Sequence, residues 1–155
     1  MNVNEQIQPE GTIERIIDYR DGRKEVKTFK NTILRNGRIA LAKSLANEVD
    51  DTYDFYISQM IFGTNGASGG VQKFVAASRT GLFGVTELSK SVIASRDETQ
   101  VIFTSVISFT EANSAILNEM ALRMQNGQLY SMVTFPDLTK TNQMQITWNW
   151  RLNFV

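Results

Sequence analysis

The chain has no cysteine, no histidine and only two prolines in 155 residues. Without thiols there are no disulfides, no thiolate nucleophiles and no Cys/His zinc sites. Without imidazole the commonest acid–base and triad arrangements are excluded as well. A surplus of one charge is also missing: sixteen basic and sixteen acidic side chains cancel and are interspersed. No long-range field gathers nucleic acid or an anionic membrane, so neither is expected as a partner. No apolar run approaches the ~18 residues of a membrane span, and Met1 to Gly11 lacks the basic and apolar regions of an export signal. These absences predict a product made in the cytoplasm without export. A net charge near zero weakens colloidal repulsion and favours association.

What is present is alternation. From Gln143 to Val155, Met144, Ile146, Trp148, Trp150, Leu152 and Phe154 share one parity, and Gln143, Gln145, Thr147, Asn149, Arg151 and Asn153 share the other. Successive strand side chains point to opposite faces, so this is a strand with a core face and a polar face. Burying six such side chains contributes roughly 9–18 kcal/mol gross, an upper bound because the unfolded chain is partly collapsed.

Upstream, Met1 to Gly11 reads as a polar arm with only Val3 and Ile7 as apolar anchors. Alternation resumes at Thr12, and Asp21-Gly22 supplies the positive φ of a two-residue hairpin turn. Asn31 to Asn47 carries good helix formers, with Leu34, Leu41, Ala42 and Leu45 on one face and Asn31 or Asn36 as cap. Phe55 to Phe62 reads as a buried strand, and GTNGASGG (Gly63 to Gly70) reads as irregular, opening a surface loop that extends to Gly84. Gln100 to Phe109 has apolar groups on both parities, as a central strand does. In Ile116 to Phe135 a turn at Asn126-Gly127 sets Met124 opposite Leu129, Leu122 opposite Ser131 and Met120 opposite Val133, all facing the core. Pro136 ends that hairpin, and Asp137 to Asn142 forms a polar loop. The expectation is mainly β: one antiparallel β-sandwich domain over residues 12–155, of about six to eight strands, with one covering helix over residues 33–47.

Chemistry-bearing patterns are sparse. The glycine loop lacks the Lys-Ser/Thr that a phosphate cradle needs, since Val71-Gln72 follow. Asp50, Asp51 and Asp54 do not have EF-hand spacing. A glycosidase would need a carboxylate pair, for which Glu111 and Glu119 are the candidates, although solvent-facing sheet positions explain both. Trp148 and Trp150, with Tyr130, Tyr53 and Tyr56, would make a sugar platform if exposed, but the parity of the indoles argues for core. No cofactor, metal or small-molecule substrate is expected. Phe74, Leu82 and Phe83 are large apolar groups in a Gly/Ser-rich stretch that either pack back as a satellite cluster or dock into a partner, and with Val3 and Ile7 they are the interface candidates.

The order of the pieces carries a resemblance. A hairpin followed by NTILRNGRIALAKSLA (Asn31 to Ala46), a strand ending FGTNG (Phe62 to Gly66), Leu82-Phe83, FTEAN (Phe109 to Asn113), NEMAL (Asn118 to Leu122) and a closing strand with alternating tryptophans together resemble small structural proteins of tailed bacteriophage virions. The resemblance covers nearly all of the chain beyond the arm. It implies a β-sandwich with one helix, placed at tail, baseplate or fibre attachments or on the capsid surface. Its implied partners are copies of itself and other virion proteins, and it implies no catalytic residues. Capsid decoration and carbohydrate binding are the alternative roles.

Overall fold

The computed structural model describes residues 9–48 and 55–154. Val3, Ile7, Asp50, Asp51, Tyr53 and Asp54 lie outside the described residues. Two antiparallel five-stranded sheets face each other. Sheet A runs β2 (Lys24–Lys30), β1 (Pro9–Tyr19), β12 (Met144–Phe154), β9 (Gln100–Ile107), β8 (Ile93–Asp97). Sheet B runs β3 (Thr32–Ile33), β11 (Leu129–Thr139), β10 (Ile116–Met124), β4 (Ile57–Gly63), β7 (Thr86–Ser91). One helix, α1 (Arg35–Leu45), and a small hairpin of β5 (Ala67–Ser68) and β6 (Val71–Gln72) complete the described elements. The architecture is the expected β-sandwich with one helix, with more strands than the sequence announced because β3, β5 and β6 are too short to show alternation and β7 and β8 are mostly exposed, with little apolar pattern to mark them.

β12 is the middle of sheet A, in unbroken register with β1 from Pro9 opposite Phe154 to Tyr19 opposite Met144. The strand therefore begins at Pro9, and residues 9–11 belong to the sheet rather than to an arm. Trp148 and Trp150 are fully buried. The Trp148 ring packs against Phe62 and Phe135 of sheet B at centroid distances of 5.5 and 5.2 Å. Ile13, Ile17, Met120, Leu122, Met124, Val133, Ile146 and Leu152 fill the same core. Phe154 is only half-buried, because it sits at the open rim of the sandwich.

Both hairpin turns are one residue longer than expected. Tyr19 N–H donates to Arg23 O (2.9 Å), and Met124 N–H donates to Gln128 O (2.9 Å), so three residues, 20–22 and 125–127, form each loop. In each loop the glycine alone takes a positive φ, +90° at Gly22 and +88° at Gly127. The preceding Asx side chain explains the extra residue: Asp21 Oδ1 accepts from Arg23 N (3.0 Å) and Asn126 Oδ1 from Gln128 N (2.9 Å), a local turn that competes with the two-residue form. Met120 stays opposite Val133 and Leu122 opposite Ser131, but the register then shifts and pairs Leu129 with Arg123 instead of Met124. Leu129 consequently packs on the other face of sheet B. Pro136 does not end β11. It lies in a bulge where Leu117 pairs with Leu138 and Glu119 with Thr134, a position that needs no ladder N–H.

The helix is shorter than residues 33–47, and its contact face differs from the one expected. Gly37 and Ala40 are its buried residues, while Leu45 is 82% exposed. Any Cβ at Gly37 would overlap the carbonyl of Tyr130, so the helix lies directly on the β11 backbone. Neither asparagine caps it: Leu34 occupies the N-cap without a side-chain bond, and Arg35 N–H donates to Ala77 O at 2.7 Å.

Candidate interaction surface

Sheet B has a second apolar face. Ile61, Ala121, Leu129 and Met132 point away from the sandwich core and are buried under Leu34 and Val75, with Leu82 and Phe83 packed at the margin. The segment 64–85 thus forms a loop layer over the sheet. Its glycine run is partly regular: Ala67–Ser68 pairs with Val71–Gln72 across Gly69-Gly70, at φ +58° and +80°. Two successive positive φ values make the two-residue turn that Asp21-Gly22 and Asn126-Gly127 do not form.

Two adjacent side chains of β10 fasten this layer. Asn118, buried, accepts from Gly66 N (2.7 Å) and donates to Thr64 O (3.3 Å) and Asp137 Oδ1 (3.0 Å). Glu119, expected to face solvent, has no exposed surface. Its Oε1 accepts from Asn65 N (3.1 Å) and Gly84 N (3.2 Å), and its Oε2 from Phe83 N (2.7 Å). A buried carboxylate is tolerable only when such donors replace its water. Gly63 and Gly66 permit the approach, since a Cβ at either would overlap Glu119 or the Asn118 carbonyl. Lys73 O accepts from Thr134 Oγ1 (2.9 Å), which ties the far end of the layer to β11.

Leu82 and Phe83 therefore belong half-buried to the packing. Phe83 carries the Arg79 guanidinium at 3.6 Å and the Lys73 ammonium at 5.2 Å from its centroid. Phe74 differs, being 86% exposed, and Val71 and Val85 of the same layer are exposed at 70% and 81%. Sequence reasoning missed both valines because isolated apolar residues between glycines carry no periodicity.

A second feature lies at the opposite end of β4. A cavity of about 300 Å³ opens between the sheets, lined by Leu41, Phe55, Ala94, Phe103, Leu152 and Phe154 among others. Almost all of its lining is apolar.

The two carboxylates weighed for catalysis enter separate networks. Glu111 accepts Lys90 Nζ on both oxygens at 2.8 Å and Ser108 N at 3.0 Å. The Lys90 bond, then that from Ser108, holds its carboxyl below the usual range. Glu119 shares neither partner. Lys140, which periodicity did not flag, is fully buried and donates to Asn113 Oδ1 (3.0 Å) and Thr141 O (2.8 Å). Burial lowers its pKa, and it pins a turn in which Ala112 and Ser114 hold φ of +53° and +74°. Tyr130 is buried, Tyr56 is exposed, and neither indole reaches the surface.

No helix among the described residues is long and apolar enough to cross a membrane. Comparison with family models, curated proteins and solved structures finds no match.

Proposed function

We propose that the chain is a non-enzymatic structural subunit of a tailed-bacteriophage particle, working at a tail, baseplate or fibre attachment through contacts with its own copies and other virion proteins. The virion assignment rests on the order of sequence elements set out above. The single structural observation that supports an assembly role is the loop layer. A segment rich in glycine is fixed by a buried Asn-Glu pair, and the side chains it holds outward, Val71, Phe74 and Val85, are apolar. Rigid presentation of apolar groups lowers the ordering cost of docking. Carbohydrate binding has less support, because both indoles are enclosed in the core.

Two measurements test the proposal. Mass spectrometry of purified particles should find the chain as a stoichiometric component. Sedimentation of the isolated protein should show concentration-dependent association that Phe74→Asp reduces at least tenfold while the thermal midpoint holds. A chain missing from particles, or a protein monomeric at every accessible concentration, overturns the reading.

A further inference from the structure

We propose that Lys140 and Asn113 join side chain to side chain in an intramolecular isopeptide bond, a covalent staple across one end of the sandwich. The inference is independent of the assembly reading. It starts from topology: residues 108–115 carry the chain from β9 in sheet A to β10 in sheet B, and residues 140–143 carry it from β11 in sheet B back to β12 in sheet A. The two crossovers lie side by side, since Ser114 N–H donates to Lys140 O (2.8 Å) and Lys140 N–H to Ala115 O (2.9 Å). A chain without cysteine has no disulfide to tie them.

The geometry places an amine against an amide. Nζ of the fully buried Lys140 lies 3.0 Å from Asn113 Oδ1, with the amide carbon one bond further on. Asn113 Nδ2 donates to Phe109 O (3.1 Å), which fixes the amide with its oxygen toward the lysine. The close acceptors of Nζ are Asn113 Oδ1 and Thr141 O (2.8 Å), with Phe109 O farther off at 3.5 Å. Two close acceptors match the two N–H groups of a neutral amine and leave its lone pair for attack. Burial lowers the pKa of Lys140, the charge of Glu111 opposes that shift, and the charge of Arg20 adds to it. A desolvated lysine beside another cation is an activated nucleophile.

In the step, Nζ bonds to Asn113 Cγ, the Cγ–Nδ2 bond breaks, and Nδ2 leaves as ammonia with the proton that Nζ gives up. No oxidant or second reactant is needed. Glu111, in the same turn as Asn113, is the carboxylate whose charge acts on Lys140, and it carries that proton. Asn113 is exposed on its other side, beside a recess lined by Ser114, Thr141 and Asn142, so ammonia has a way out. The competing attack of Ser114 N on the same carbon is held back by its bond to Lys140 O.

Intact-mass spectrometry of the purified full chain should read one ammonia, about 17 Da, below the sequence mass. Trypsin should release a branched product joining residues 97–123 to residues 124–151, uncleaved at Lys140. Lys140→Arg and Asn113→Ala should each restore the full mass, and the branched peptide decides the matter in the wild type if either variant folds poorly. Glu111→Gln should keep the full mass in freshly made protein, and a complete crosslink there overturns the proton-carrying role. A wild-type chain at its full sequence mass overturns the inference. So does a loss of ammonia that persists in Lys140→Arg with no branched peptide, which marks a succinimide at Asn113.

Discussion

The two outer faces of the sandwich are built on the same alternation and have opposite fates. On sheet B, Ile61, Ala121, Leu129 and Met132 face outward into helix-flanking and loop residues and are sealed. On sheet A, the outward residues of β12, Gln145, Thr147, Asn149, Arg151 and Asn153, are half-buried or exposed. There Thr104 Oγ1 donates to Asn149 Oδ1 (2.8 Å) and Asn149 Nδ2 to Glu14 Oε1 (3.2 Å), a polar ladder across β9, β12 and β1. Val26 and Val106 interrupt this face without covering. A strand turned away from the core is therefore solvated only if no other segment lies over it. The covered face makes the molecule three layers thick on one side, and the loop layer that closes it is also the one that exposes Phe74.

The largest effect should come from removing the anchor of that third layer. Glu119→Ala takes the acceptor from three part-buried N–H donors and empties a fully buried position, and should cost about 3 kcal/mol in urea unfolding. The amides of Asn65, Phe83 and Gly84 should lose hydrogen-exchange protection ahead of β12. An unchanged pattern would mean that the apolar contacts alone hold the layer. A matched pair of truncations comes next. Met132→Ala, outward but covered, should cost about 2–3 kcal/mol, whereas Thr147→Ala, outward and uncovered, should stay within about 0.5 kcal/mol. Equal costs would erase the distinction between the faces.

The smallest effect is electrostatic. The Glu111 carboxyl is held below its ordinary value by Lys90, so its folded pKa lies under the unfolded one. That contribution is complete above the unfolded carboxylate value of about 4.3 and disappears as the pH falls through the lower folded value. Lys90→Met should lower the urea midpoint at neutral pH by that contribution and converge with the wild type at low pH, which flattens the acid side of a plot of midpoint against pH. A wild-type slope in that variant would assign the dependence to other carboxylates.

How much was legible varied with how local the cause was. The β12 alternation, the hairpin positions and a single helix are written in parity, Asx-Gly pairs and helix formers. Turn length was not, because the Asx side chain's bond to the amide two residues on competes with the shorter turn, and both forms use the same dipeptide. The helix face was misassigned for a related reason: the residue of closest approach is Gly37, which contributes no hydrophobic signal, and it is chosen by the β11 backbone beneath it. Glu119 was placed on the correct side of β10 and given the wrong surroundings.

The sequence by itself determined the strand parities, the inward set around Trp148 and Trp150, the class of the fold, and the absence of thiol and imidazole chemistry. Only the tertiary structure decided what covers each outward face, where segment 64–85 lies, and that Glu119 is buried among three N–H donors while Phe74 is left bare. The physical reason is range. Side-chain direction along a strand follows from a two-residue repeat in the backbone, whereas coverage depends on a segment some fifty residues away in the chain being folded back and held by hydrogen bonds that no local pattern encodes.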